Sequence, residues 1–175
     1  FDKDFDAHEN KIEDSRLRLI KTDFKFIENV LQEAGIEAVD GILADLGISS
    51  HQIDVAERGF SFRFDAVLDM RMDRNDEVSA VEVLNAYPEQ ELFRIFRDFG
   101  EIRQAARLAA TIVNARKLQA IDTTTRLRAV VGEMVKATNL NKILTLIYQA
   151  LRIEVNQELE GLAMLLEGGL RMLKP

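Results

Sequence analysis

A carboxylate, two hydroxyl groups and an amide follow a short apolar run in the segment VDGILADLGISSHQ, which begins at Val39. The run predicts a buried parallel strand at 39–44 that presents Asp45 at its carboxyl end. A carboxylate in that position must be hydrogen-bonded or contact a ligand, so Asp45 is a candidate site residue. The polar side chains that follow can orient an amine or a carboxylate, although paired serines are also an ordinary helix cap: Ser49, Ser50 and Gln52.

Aromatic rings alternate with guanidinium groups in the long loop that follows, residues 54–73. Loops of this length in a compact domain are usually functional or disordered. Rings and cations together stack on and neutralise a single-stranded nucleotide, whereas alternation with period two equally fits a β-strand that covers a core. The residues concerned are Arg58, Phe60, Phe62, Arg63, Phe64 and Arg71.

Two candidates for a nucleotide site lie nearer the start of the chain. Asp2 stands where a strand-end acid hydrogen-bonds ribose hydroxyls in doubly wound folds, or where a turn aspartate is solvated by water. Phe24 fits beside a purine ring, or in the core as a helix staple. His8 and His51 are the only histidines and have no partners at metal-ligand spacing, so the sequence assigns no metal.

The composition describes a globular chain of 175 residues, 47% of them hydrophobic, which predicts one domain or two small ones. The chain has no cysteine, so disulfides and thiolate metal sites are excluded and a reducing compartment fits. No apolar run approaches the length of a membrane span, and the first residues lack the pattern of a signal peptide. The expected location is the cytoplasm, with no membrane partner.

Charge is divided unevenly along the chain, whose net charge is −7. Residues 1–87 carry 10 Lys and Arg against 20 Asp and Glu, whereas residues 88–153 carry 11 against 6. The basic part favours either solvated helix faces or an anionic partner. Its candidate contacts for RNA phosphates are Arg103, Arg107 and Arg116.

The first part of the chain has a β-α-β order, which predicts an α/β fold. A helix is expected around Ala7–Asp14, a strand at Leu17–Lys21, and a helix at 24–34 that Gly35 ends as a C′ glycine. The strand at 39–44 completes the unit and predicts a parallel sheet flanked by helices.

From Ser79 onward the apolar spacing is helical. Pro88 suits a first helical turn, Thr123 to Thr125 offer N-caps for a helix to about Val135, and a long helix is expected over Leu140–Leu166. The predicted domains are a core at 1–78, an all-helical insertion at 79–137, and a return to the core at 138–175.

Four segments occur in a specific order: DLGISS from Asp45, ERGFSF from Glu57, LDMRMD from Leu68 and QALRIEVNQEL from Gln149. Together they resemble the bacterial small-subunit ribosomal RNA methyltransferase H family, the MraW-like enzymes, over essentially the whole chain. The resemblance implies a partial Rossmann-like fold that uses S-adenosylmethionine, with 79–137 as an inserted RNA-facing domain. It also implies N4-methylation of a cytidine in the decoding region of 16S ribosomal RNA.

The resemblance carries roles onto individual residues. Asp2 would hold the ribose of S-adenosylmethionine, Phe24 would lie beside its adenine, and Asp45 and Gln52 would contact the cofactor. The implied partner is small-subunit ribosomal RNA within the ribosomal subunit, and a homodimer is left open. The candidate catalytic residues, nearest the target amine, are Asp45, Ser49 and Ser50.

Two features of the family have no counterpart in these 175 residues. They are the glycine-rich loop that precedes the strand ending at Asp2 and the last strands, which follow the turn at Lys174 and Pro175. Two other interpretations therefore stand beside the enzyme. One is a catalytically silent module that binds RNA or protein, and the other is a truncated folding fragment.

Overall fold

The computed structural model describes residues 1–8 and 14–175, and its regular structure is helical. The α-helices of this part are α1 Ile27–Glu33, α2 Ser50–Asp54, α3 Ala80–Ala86, α4 Glu89–Asp98, α5 Ala105–Leu118, α6 Thr124–Gly132, α7 Ala137–Asn156 and α8 Glu158–Met172. The 3-10 helices are Phe5–His8, Phe24–Phe26 and Ala56–Arg58. Most of the helix expected at Ala7–Asp14 lies outside the described residues.

The two strands expected in the first part of the chain form only isolated parallel bridges, Asp2 with Lys21 and Val39 with Leu173. The prediction of a buried strand at 39–44 is wrong for this structure, since Leu43 is 96% exposed. A parallel strand is buried only when sheet neighbours and helices cover both of its faces, and the described residues supply one bridge here. The Rossmann-like sheet is therefore not confirmed, although both bridges have the parallel sense that it requires.

The chain divides into two compact units. The first unit contains 1–47, 72–75 and 157–175, and the second contains 48–71 and 76–156. The second unit extends beyond the predicted insertion at 79–137, because α7 packs against α3, α4 and α6 and so belongs to this unit.

The long helix expected over Leu140–Leu166 is interrupted at Gln157. This residue has φ 51° and ψ 39°, in the left-handed region, and it separates α7 from α8. Left-handed backbone occurs in single residues and does not continue an α-helix. The helical periodicity of the sequence persists on both sides of the break, so the pattern alone could not show it.

In the first unit, α1 packs against α8. The C-terminus of α1 is a Schellman motif, as the glycine predicted: Gly35 has φ 72° and donates to Gln32 O at 2.9 Å, and Ile36 donates to Leu31 O at 2.9 Å. Glycines on α8 permit the close packing, because a Cβ on Gly168 would lie 3.3 Å from the Cβ of Glu28. A small core of Ile27, Leu31, Leu165 and Met172 results.

In the second unit, the cap of α6 lies within the predicted residues 123–125, whereas no cap is predicted from the sequence for α3. Ser79 and Glu82 form a capping box at α3, and Thr123 accepts a hydrogen bond from Arg126 N at 3.2 Å at α6. Pro88 is the N-cap of α4 and so precedes the first helical turn, in which it is expected from the sequence. The apolar faces of α4, α5 and α7 then bury side chains completely, including Leu92, Ile95, Phe96, Leu108, Ile112, Leu144, Ile147 and Leu151.

A buried polar network folds the segment 55–71 of this unit. Arg58 is 2% exposed, its guanidinium donates to Arg71 O at 3.0 Å, and its carbonyl accepts from Met70 N at 3.0 Å. Asn156 is also buried, and its Nδ2 donates to Met70 O at 2.8 Å. These bonds hold Met70 at φ 61°, a conformation that only well-supported non-glycine residues keep.

Gly59 lies where the two ends of this segment approach each other. A Cβ there would be 2.4 Å from Val67 O and 2.6 Å from Asp69 N, and the residue has φ 70°. We expect Gly59→Ala to lower the free energy of unfolding by about 3 kcal/mol, from left-handed strain and the backbone clash. Gly132→Ala is the control, since its Cβ would have no neighbour closer than 4.0 Å. Equal thermal midpoints for the two variants would show that Gly59 does not lie at a close approach of two backbone segments.

Asn156→Ala removes both donated bonds, to Met70 O and to Arg152 O. Because Met70 O would be left buried without this donor, the free energy of unfolding in urea should fall by about 2 kcal/mol. Asn141→Ala on the exposed side of α7 makes the same substitution and should change stability by no more than about 0.5 kcal/mol. A loss no greater than that of the control would show that the network does not stabilise the segment.

Candidate functional site

Asp2 forms an isolated parallel bridge with Lys21 and begins a turn. Its backbone N–H donates to Ile20 O at 3.3 Å, and its carbonyl accepts from Thr22 N at 3.2 Å. The side chain is exposed, and its Oδ1 accepts the Asp4 N–H at 2.9 Å. The carboxylate is thus held by its own turn while it remains accessible to solvent.

Phe24 follows the segment that bridges to Asp2. Asp23 caps the short helix through Lys25 N at 3.1 Å, and Lys3 Nζ lies 3.7 Å from Asp23 Oδ2, which ties the Asp2 turn to the start of that helix. The Phe24 ring is half-buried against the core of the first unit, and a Cβ on Gly161 would lie 3.3 Å from it. The ring therefore packs against the core, as one of the two interpretations expects, and part of it remains exposed.

Asp45 is exposed and belongs to the first unit. Among the residues that the structure describes, its carboxylate has no hydrogen-bond or ion-pair partner. Its neighbour Asp40, by contrast, accepts from Lys174 Nζ at 2.6 Å. The prediction that burial obliges this carboxylate to have a partner is therefore wrong, because water can solvate an exposed group, and Asp45 is accessible to a cationic or hydrogen-bonding ligand.

Ser49, Ser50 and Gln52 belong to the second unit and begin α2. Ser49 Oγ accepts from Gln52 N at 3.2 Å, and Gln52 Oε1 accepts from Ser49 N at 3.1 Å, which is a capping box. Gln52 is 5% exposed, so its amide holds the helix start rather than projecting into solvent. The exposed Ser50 hydroxyl takes no part in this cap.

The residues of the first unit fit the chemistry of S-adenosylmethionine. Its ribose diol needs an acid such as Asp2, its adenine needs an apolar face such as Phe24, and its sulfonium and ammonium charges favour a carboxylate such as Asp45. Of the four proposed cofactor contacts, Gln52 is the one whose side chain is already committed to the α2 cap.

The aromatic loop is divided between core and surface. Arg58 and Phe60 are buried, which replaces the expected RNA contact by a structural role for both side chains. The Phe62 ring lies edge-on to Tyr148, with centroids 5.3 Å apart, and burial raises the pKa of the Tyr148 hydroxyl. Phe60 and Phe62 therefore pack as the core-covering alternative expects, but residues 60–64 do not form the β-strand that it proposed.

The two remaining arginines of this loop differ, since Arg63 keeps an accessible guanidinium group whereas that of Arg71 is bound to Asp69 and to a backbone carbonyl. Arg63 is exposed, donates to Asp54 Oδ1 at 3.0 Å and lies over the Phe64 ring at 5.5 Å. Arg71 is half-buried and forms a bidentate pair with Asp69, with bonds of 2.6 and 3.0 Å. The Asp69 carboxylate raises the pKa of Arg71 and satisfies much of its donor capacity.

The three basic candidates of the helical unit also differ. Arg103 and Arg107 are exposed, and neither has an ion-pair partner within 1–8 and 14–175. Arg116 is partly buried and donates to Leu84 O at 2.8 Å, near the C-terminus of α3. Arg116 thus neutralises the end of a helix, whereas the other two remain available to an anion.

The sequence spacing of Arg152 and Asn156 is typical of two side chains that pair on a helix surface. In the structure, however, Asn156 is buried. Its spacing from Arg152 is the helical i, i+4 pattern, and it does donate to Arg152 O at 2.9 Å. The second acceptor, Met70 O, is 86 residues away in sequence. Only a polar residue within an otherwise apolar helical face could have signalled that burial.

The described residues contain no group of three or more metal-ligating side chains that could hold an ion. Within the same residues, no helix combines the length and apolar character of a membrane span.

Comparison with known proteins gives matches over the whole chain. The chain is 53% identical to ribosomal RNA small subunit methyltransferase H of Flavobacterium johnsoniae and 49% identical to that of Christiangramia forsetii, each over 175 residues, or 100% of this chain and 58% of the relative. It is 48% identical over 163 residues to the protein of that name from Geotalea daltonii, which covers 91% of this chain and 52% of the relative. The chain therefore spans just over half the length of these relatives.

A family model described as the MraW methylase family matches residues 2–175. The match includes the Asp2 turn, the segment after Val39, the aromatic loop and every helix from α1 to α8. On this match and on the identities above, the chain belongs to the MraW methylase family.

Proposed function

We propose that this chain carries the substrate- and cofactor-contacting part of an S-adenosylmethionine-dependent methyltransferase that modifies small-subunit ribosomal RNA. The observation that carries the proposal is the identity of about half of all residues to proteins named for that activity, over 100% of the chain. The finer proposal is that the modified atom is N4 of a cytidine in the decoding region of 16S ribosomal RNA. Motif resemblance supports this finer proposal.

The chemistry assigns each candidate residue a task. S-adenosylmethionine, when bound, supplies the methyl group, and the cytidine amine forms a new N–C bond and loses a proton. Methyl transfer to an amine depends mainly on positioning, since the lone pair of N4 is partly delocalised into the ring. Asp45, with no internal partner among the described residues, is suited to accept hydrogen bonds from the amine and to favour the more tetrahedral nitrogen.

The two serines are not equivalent in this scheme. Ser49 Oγ already accepts a backbone hydrogen bond in the α2 cap, so Ser49→Ala combines loss of a cap with any loss of a substrate contact. Ser50 lies outside the cap and is exposed, so its hydroxyl is the freer contact for the target base. The target cytidine would leave its stack to reach these groups.

The proposed partner is small-subunit ribosomal RNA in the assembled subunit, in the cytoplasm, and a homodimer is compatible with the proposal. The uneven charge supports an RNA partner, because residues 88–153 carry 11 Lys and Arg against 6 Asp and Glu. Part of this excess lies in 79–137, the domain that the resemblance implies faces RNA, where 9 Lys and Arg stand against 7 Asp and Glu.

The test uses this chain, methyl-labelled S-adenosylmethionine and small ribosomal subunits that lack the modification. We expect label to enter the ribosomal RNA and to appear, after digestion and mass spectrometry, as N4-methylcytidine. Asp45→Asn should lower the rate by about 100-fold or more, because it removes the charge and keeps the shape. Asp40→Asn makes the same change at the carboxylate paired with Lys174 and should leave the rate near that of the wild type.

Two results would contradict the proposal. Equal rates for the two variants would remove Asp45 from the site. Absence of transfer by the wild-type chain, with RNA binding intact, would instead favour the catalytically silent module.

A further inference from the structure

A cavity of about 460 Å³ lies in the second unit, beside the residues that lead into α5 and the first half of α7. Its volume is within the range of about 300–1,000 Å³ that is typical of small-ligand sites. Much of its wall is apolar and comes from Ile102, Met134, Ile143 and Leu146. None of the residues proposed to contact the cofactor or the target amine lines it.

Two cations also line the cavity, Arg103 and Lys142. Both side chains are exposed, and within 1–8 and 14–175 neither forms an ion pair. Arg94 and Arg97, by contrast, are paired, with Glu154 at 3.0 Å and with Asp98 at 2.5 Å. Arg107, which does not line the cavity, is exposed without an ion-pair partner among the described residues, so the cavity carries part of the unpaired positive charge of the second unit.

Polar groups of the type that read base edges complete the lining. Gln104 and Asn139 bring amide groups that can donate and accept, and Glu101 brings a carboxylate, which accepts hydrogen bonds and offsets one of the two positive charges. Gln104 is the N-cap residue of the 14-residue helix α5 and makes no side-chain cap bond. Its amide is thus not used to satisfy the helix, and the positive end of the helix dipole adds to the field of the two cations.

We propose that this cavity binds one unstacked nucleotide of the RNA substrate. The base lies against the apolar wall, within reach of the Gln104 and Asn139 amides, and its phosphate is held by Arg103 and Lys142. Apolar surface for a base together with cations for its phosphate is the combination that single-stranded RNA requires. The inference rests on the proposed function for the identity of the partner and adds a nucleotide subsite away from Asp45 in the sequence.

The test measures binding of a fluorescein-labelled 12-nucleotide oligouridylate to the full 175-residue chain by anisotropy, at several salt concentrations. The double variant Arg103→Gln/Lys142→Gln should raise Kd by about 10-fold or more. It should also make the slope of log K against log salt shallower by about 0.7 for each phosphate that the variant no longer neutralises. The control Arg97→Gln/Lys117→Gln removes the same two charges from exposed positions outside the cavity and should change Kd by less than about 2-fold.

A neutral variant tests the apolar wall separately. Val135 lines the cavity, and Val135→Phe should weaken binding by filling space while it leaves the salt slope unchanged. Unlabelled UMP should displace the oligouridylate only at far higher concentration, because it offers one nucleotide of the strand. If UMP binds as tightly as the 12-mer, the cavity is a free-nucleotide site and the RNA assignment is overturned.

The remaining outcomes separate this inference from the proposed function. Equal loss of binding in the double variant and its control, or no binding by the wild-type chain at about 50 mM salt, would overturn the cavity as an RNA subsite. Failure of the proposed function would appear instead as absence of methyl transfer while oligouridylate binding still depends on Arg103 and Lys142.

Discussion

The structure of the second unit depends on one backbone crossing, at Gly59. Because no Cβ fits between this residue and the carbonyl of Val67, the two ends of the segment 55–71 can lie side by side only with glycine there. Arg58 and Asn156 then satisfy the buried backbone groups around Met70. A buried network of this kind stabilises a fold only when each polar group has its partner, which is why a side chain from α7 is required.

The crossing determines which side chains of the aromatic loop are available. It turns Arg58 and Phe60 inward and leaves Arg63 and Phe64 at the surface. The middle of the loop is held separately, since Thr124 donates its hydroxyl to Phe64 O at 2.6 Å and its N–H to Ala66 O at 2.9 Å. The loop is therefore a fixed part of the helical unit, and its exposed cations are held at defined positions.

The local features of the fold could be predicted from the sequence, and the non-local ones could not. Gly35 and Thr123 act through neighbours within five residues, so their patterns are sufficient to identify helix ends. The predicted strand at 39–44 depends on partners far away in sequence, and apolar character alone did not ensure its burial. The burial of Arg58 could not be predicted for a similar reason. An arginine beside aromatic residues gives the same sequence pattern whether it binds RNA or is buried in a core.

Among the described residues, one unpaired carboxylate of the first unit and two unpaired cations of the second suit two different ligands. In the first unit, Asp45 is negative, has no partner among the described residues and fits a cationic cofactor, whereas in the second Arg103 and Lys142 are positive and fit a phosphate. The most direct measurement is calorimetric titration of S-adenosylhomocysteine into the 175-residue chain. We expect saturable binding that Asp45→Ala abolishes and Asp40→Ala retains; no binding, or equal binding by both variants, would contradict the assignment of the cofactor site.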